Sequence, residues 1–131
     1  LAGVALALPA LLRAEKLGKR AARAGFDFSS LQNARAKLDE ELRELDDELN
    51  EAGVSQQRVH EELGDVLFSV CNLARKVGVN AEHSLRDASA RFEQRFRAVE
   101  ALAPQGLGGM SDDLLEQLWE RAKANIQAGR L

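Results

Sequence analysis

The sequence predicts an all-α protein: a helical bundle of about five helices with an acidic antiparallel helix hairpin at its centre. Three observations carry this. Apolar residues recur three and four positions apart through most of the chain and never alternate with the period of two that a half-buried strand needs. Only two prolines and no tyrosine occur in 131 residues, so little interrupts a helix and little favours a sheet. Serine, asparagine and glycine stand where such helices would start and stop. The length suits one domain over 1–131 with a single four-helix core. The chain does not begin with Met, which fits a domain excised from a longer protein.

The first helix is expected from near Pro9, a good first-turn residue, to Gly25, with Leu8, Leu11, Leu12 and Ala22 on its buried side. Arg13, Lys16, Lys19, Arg20 and Arg23 make it basic, either as a solvated face or as one that attracts phosphate. GFDFSS then forms a loop in which Ser29 or Ser30 caps the second helix. That helix carries Leu31, Ala34, Leu38, Leu42, Leu45 and Leu49 at helical spacing and is expected to end at Gly53. Ser55 caps a third helix with Val59, Leu63, Val66, Leu67, Val70, Leu73, Ala74 and Val77, ending at Gly78. Its apolar arc is broad enough for more than one neighbour. Asn80 caps a fourth helix to about Leu102, with Leu85, Ala88, Phe92, Phe96 and Val99 inward. A Pro/Gly linker follows, and Ser111 starts the last helix. The broad third helix and the leading LAGVALAL, which has no obvious partner, predict a homodimer or higher homo-oligomer.

Composition narrows the function. A net charge of -3 argues against binding nucleic-acid polymers, although local basic patches remain. LAGVALALPALL is too short to span a bilayer and no basic segment precedes it, so no membrane or targeting segment is read. The single cysteine, Cys71, excludes an internal disulfide framework and fits a reducing compartment, the cytoplasm.

The chemistry concentrates between Lys37 and Asp65. Glu41 and Glu44 form one i, i+3 pair and Glu62 and Asp65 another, each on the same flank of its helix's apolar stripe. The midpoint of 44 and 62 is 53, and so is that of 41 and 65. A hairpin folded there sets Glu44 against Glu62 and Glu41 against Asp65. At ~6 Å and an effective dielectric of ~20, each ionised pair costs about 3 kcal/mol. All the pairs together reach roughly 17 kcal/mol as an upper bound, against domain stabilities of about 5–15. A divalent cation relieves this, and oxygen-only ligands select Mg²⁺, with Mn²⁺ as the alternative. The competing reading is two solvated acidic helix faces.

Arg91 and Arg95 stand just outside the Phe92/Phe96 stripe, placed as the carboxylates are on their own helices. Beside a metal cluster they suit a polyphosphate; otherwise they pair with Glu93 or Asp87. Trp119 and Lys123 repeat the i, i+4 spacing in the last helix, where Trp119 is either core or a base contact. His60 points away from the carboxylate flank and Cys71 lies on the apolar side, so neither is expected to act chemically.

EELRE at Glu40–Glu44 followed by ELGD at Glu62–Asp65 resembles the EExxE…ExxD signature of MazG-type nucleoside triphosphate pyrophosphohydrolases, and most like their C-terminal catalytic unit. LPALLRAEKLGKRAARAGFDF is similar to the family's opening helix and aromatic loop, and RFEQRFRAVE to its basic helix. The resemblance implies hydrolysis of nucleoside triphosphates to monophosphate and pyrophosphate with Mg²⁺, in clearing nucleotide pools. It implies Glu41, Glu44, Glu62 and Asp65 as metal ligands, with Glu41 the candidate to orient the water. It implies Lys37, Arg58, Arg91, Arg95 and Lys123 near the phosphates, and Trp119 near the nucleotide. Arg58 and Arg91 stand where lysine is common, and Phe28 where tryptophan is frequent. A narrower dUTP or phosphoribosyl-ATP pyrophosphohydrolase, and a non-enzymatic helical module with an acidic docking face, are the alternatives.

Overall fold

The structure is a computed structural model that describes residues 1–129. Five α-helices run through the described residues, with no strand: α1 (Ala10–Arg23), α2 (Leu31–Leu49), α3 (Gln56–Lys76), α4 (Ala81–Leu102) and α5 (Asp112–Gln127). Local chemistry explains most of their starts. The hydroxyls of Ser30, Ser55 and Ser111 accept from the backbone N–H of Asn33, Arg58 and Leu114, and the side chain of Asn80 accepts from that of His83. Each satisfies a donor that the first helical turn leaves free.

Two boundaries differ from the expectation. Pro9 precedes α1 as its cap instead of standing inside the first turn; its carbonyl accepts from the N–H of Arg13 at 2.8 Å. The second helix stops at Leu49, short of Gly53, with Asn50 as its C-cap. Its last turn is acidic and holds no basic residue. The negative end of the helix dipole disfavours carrying that run further.

The chain forms two compact units, Leu1–Ser84 and Leu85–Leu131. In the first, α3 packs against both α1 and α2. The contact with α1 is close because of Gly18, the buried residue of that helix. A Cβ there would lie 2.8 Å from Arg75 Nε and 3.0 Å from Asn72 Oδ1, so a larger residue would push the helices apart. The loop after α1 is fastened to the end of α3 by Asp27. Its carboxylate accepts from Arg75 Nη2 at 2.9 Å and Nη1 at 3.3 Å, and from Lys76 Nζ at 3.1 Å. In the second unit Ala98, Val99 and Ala122 are buried, with Leu102, Leu107, Leu118, Trp119 and Ile126 packed around them.

Burial departs from the inward stripe expected of α4, and much of the apolar spacing of α2 and α3 is open. Leu31, Leu42 and Leu49 of α2, Leu63, Leu67 and Val70 of α3, Val77 beyond it, and Leu85, Phe92 and Phe96 of α4 are all exposed. Small residues make the closest contacts instead: Ala34, Cys71, Ala81, Ala98 and Ala122 are buried, Cys71 to 2% exposure. A helical apolar arc is wider than one neighbouring helix covers, so its flanks stay open.

The Asp27 clasp predicts a pH response. The hydrogen bond from Arg75, aided by Lys76, holds the Asp27 carboxyl well below the usual carboxylate range. A depressed acid contributes stability above its unfolded value of about 3.9, and that contribution fades as the pH falls further. Asp27→Asn should therefore melt below the unsubstituted chain at pH 7, with a gap that narrows below about pH 4. Thermal melts followed by circular dichroism across that range check this.

Candidate active site

The six-residue connection from Asn50 to Ser55 returns α3 antiparallel along α2. This brings Glu41, Glu62 and Asp65 together, with one carboxylate oxygen from each within 4.8 Å of the others. Glu41 is only 6% exposed, while Glu62 is half-buried and Asp65 exposed. The group thus runs from a covered floor to an open rim.

Lys37, one turn before Glu41, gives Glu41 Oε1 an ion pair at 3.0 Å and reaches Glu40 at 3.4 Å. The other oxygen of Glu41 and the Oε2 of Glu62 are buried without a hydrogen-bond partner among the described residues. A buried acceptor left unpaired costs about 1–3 kcal/mol, and more when charged. Two such oxygens from facing helices, with a third carboxylate at the rim, are what a hard cation needs. Side-chain adjustment from this spacing would let the three share one hard cation. The residues present therefore fit a divalent cation.

Glu44 stands at the edge of this group. Its exposed carboxyl lies against Glu41, and closeness to that carboxylate, with the charges of Glu41 and Glu62, pushes it above the usual range. Its orientation reflects a side-chain rotamer, which helical spacing does not specify. Arg58 is exposed in the first turn of α3, and its guanidinium has no ion pair among the described residues.

The remaining candidates lie in the second unit. The Arg95 guanidinium sits 5.9 Å from the Trp119 ring centroid, within cation–π range. Trp119 in turn lies 5.7 Å from Phe92, which stacks on Phe96 at 6.0 Å. Lys123 pairs with Glu120 at 3.0 Å, and with Arg95 these two line a cleft of about 330 Å³. Arg91 is exposed and outside this group. Neither Arg91 nor Arg95 pairs with Glu93, which Arg97 holds, or with Asp87.

Residues 29–99, just over half of the chain, match the MazG nucleotide pyrophosphohydrolase domain. The chain belongs to the MazG family. Across 119 residues, 88% of this MazG chain, it is 43% identical to the nucleoside triphosphate pyrophosphohydrolase of Escherichia coli (strain K12). Over the same length it is 34% identical to the nucleoside triphosphate pyrophosphohydrolase/pyrophosphatase MazG of Thermotoga maritima. It matches an uncharacterized protein, YabN, of Bacillus subtilis at 35% over 65 residues. The chain spans about 45% of the length of the first two relatives.

One feature of the MazG chain escaped the sequence reading: a cavity of about 330 Å³ in the first unit. Leu17, Gly18, Phe26, Phe28, Asn72 and Arg75 are among the residues around it. Gly18, an unexpected residue inside a helix, and Phe26 and Phe28 in the aromatic loop after it were the signals available.

Crowded carboxylates make a prediction about the metal-free protein. Replacing Glu44 and Glu62 together by glutamine should raise its melting temperature, since it removes two of the crowded like charges. Mg²⁺ should raise the melting point of the unsubstituted chain and leave the double variant unmoved. Melts with EDTA and with Mg²⁺ compare the two.

Proposed function

We propose that the chain hydrolyses nucleoside triphosphates to the monophosphate and pyrophosphate, with Mg²⁺ as cofactor and Mn²⁺ as a substitute. The observation that carries this is the convergence of Glu41, Glu62 and Asp65 around two unpartnered buried oxygens, in a chain of the MazG family. Glu41, Glu44, Glu62 and Asp65 would hold the ion. When bound, Mg²⁺ would neutralise charge on the phosphates and lower the pKa of water.

The chain's own groups do the rest. A water oxygen attacks the α-phosphorus, the bond to the α–β bridging oxygen breaks, and pyrophosphate leaves with that oxygen. Glu41, buried and steadied by Lys37, is our candidate to orient the water and receive its proton. Lys37, Arg58, Arg91, Arg95 and Lys123 are assigned to the phosphates, as donors that match anionic oxygens. Trp119 is assigned to the base or sugar. The cavity between α1 and α3 adds apolar surface for the nucleoside: Asn72 follows Asp65 by seven residues on one face of α3, about 10 Å along the helix.

Residues 1–131 act in this reading as one pyrophosphohydrolase domain. No helix among the described residues is long and apolar enough to cross a membrane. With the free, buried Cys71 this supports a cytoplasmic place and a small nucleotide rather than a membrane or a nucleic-acid polymer as partner. The exposed stripe Leu63, Leu67 and Val70 supports pairing with a second copy.

Purified chain with Mg²⁺ should convert a panel of nucleoside triphosphates to monophosphate and pyrophosphate, and EDTA should stop it. Chromatography of the products decides: diphosphate with orthophosphate would overturn attack at the α-phosphorus, and no turnover would favour a docking module. In the same assay Arg95→Ala should lower kcat/KM about ten- to hundredfold for every substrate, since phosphates are common to all.

Light scattering should report at least twice the 14.3 kDa of one chain. Leu67→Asp should reduce that mass to one chain's, because a charge on the apolar stripe opposes its burial.

A further inference from the structure

The first unit holds a second charged feature, well away from the carboxylates in character. The leading segment from Gly3 to Leu8 lies along α1, and between them is a cleft of about 370 Å³. Lys16, Lys19, Arg20 and Arg23 line its other side, and no carboxylate is among the residues around it. Lys19 reaches Glu15 at 3.5 Å. Lys16, Arg20 and Arg23 have no ion pair among the described residues.

The cations share one face of α1, and that face is turned from α3. Gly18 is where α1 meets Asn72 and Arg75 of α3. At about 100° per residue, Lys16, Lys19, Arg20 and Arg23 all point roughly 100–200° around the helix from Gly18. The segment is seated by its backbone: Gly3 has φ +88°, and a Cβ there would lie 3.2 Å from Arg20 Nη2. A residue with a side chain would be strained in that conformation and would crowd the guanidinium.

The end of a helix favours cations, which accounts for Arg20 and Arg23 in the last turn of α1. It accounts neither for Lys16 nor for a concave site that groups four cations on a chain of net charge -3. Such cations repel one another unless an anion lies among them. Their row from Lys16 to Arg23 is about 10 Å long, which suits a short linear chain of phosphates rather than a single one. Guanidinium and ammonium groups are the donors that phosphate oxygens select.

We propose that this cleft is a second anion site, separate from the carboxylates, that takes a linear oligophosphate. That the pyrophosphate released by the enzyme is its source rests on the function proposed above; the oligophosphate chemistry does not.

Calorimetric titration of the full chain in EDTA tests it, because EDTA removes the metal and turnover, so the result is independent of the product assay. Pyrophosphate and tripolyphosphate should each bind one per chain, with orthophosphate at least about tenfold weaker. Replacing Lys16, Arg20 and Arg23 together by glutamine should weaken tripolyphosphate at least about tenfold, and Lys16→Gln alone should weaken it measurably, whereas Arg20→Lys should retain it. Glu41→Gln with Glu62→Gln should leave it unchanged. ATP competing with tripolyphosphate would identify a nucleotide tail as a source, and ATP failing to compete would leave free oligophosphate; both support the site. Undiminished binding in both glutamine variants, loss of binding in the carboxylate variant, orthophosphate as tight as tripolyphosphate, or a DNA duplex binding tighter still would each overturn it.

Discussion

Carboxylates a few ångströms apart repel, and the packing of α2 on α3 brings three of them together regardless. Neither helix does this alone, since Glu41 comes from one and Glu62 and Asp65 from the other. The buried Ala34 of α2, and Val66 and Ser69 of α3, let the helices approach closely. Apolar burial supplies about 25 cal/mol per Å², enough in aggregate to hold like charges in place. The repulsion that remains would favour a cation among them. A ligand that binds the folded state and not the unfolded one returns that energy as stability.

Lys37 shows how the fold tolerates the cluster without closing it. An ammonium on both oxygens of Glu41 would neutralise the site and block it. Lys37 takes Oε1 alone, while Oε2 is buried without a partner. The carboxylate is thus divided between a cation within the chain and whatever ion comes from outside. The hydrogen bond to Glu41 raises the Lys37 ammonium's pKa, so it stays charged throughout the physiological range. A glutamate steadied in this way is held in place without an ion.

The parts of the fold legible in the sequence were those written in local chemistry. Ser30, Ser55, Asn80 and Ser111 could be read as caps because each acts on an N–H three residues away. The acidic hairpin was legible because both pairs are centred on residue 53, so a turn in that region brings Glu41 to Asp65. What was hidden depends on long-range approach or on rotamers. Asp27 and Arg75 are 48 residues apart, and no period links a loop aspartate to a helix-end arginine. Glu44 leaning on Glu41 is a choice of side-chain angle. The exposed Phe92 and Phe96 of α4, expected inward, were misread for another reason. Periodicity tells which face is apolar but not what covers it.

Charge is sorted by helix as much as by residue. α2 carries an acidic run after Lys37, α1 collects cations on the face turned from α3, and α4 places Arg91, Arg95 and Arg97 within two turns. A chain with net charge -3 gains little general attraction for anions. Anions must then be held where cations are grouped, and metal where carboxylates are. In the proposed reaction a triphosphate with its ion would need both kinds of group at once, because the cation that neutralises the phosphates would itself be held by acids. The carboxylates alone would repel a nucleotide, and the basic residues alone would hold it without activating water. Lys37 shows that a cation can stand on the same helix as the acids and still leave one oxygen of Glu41 open.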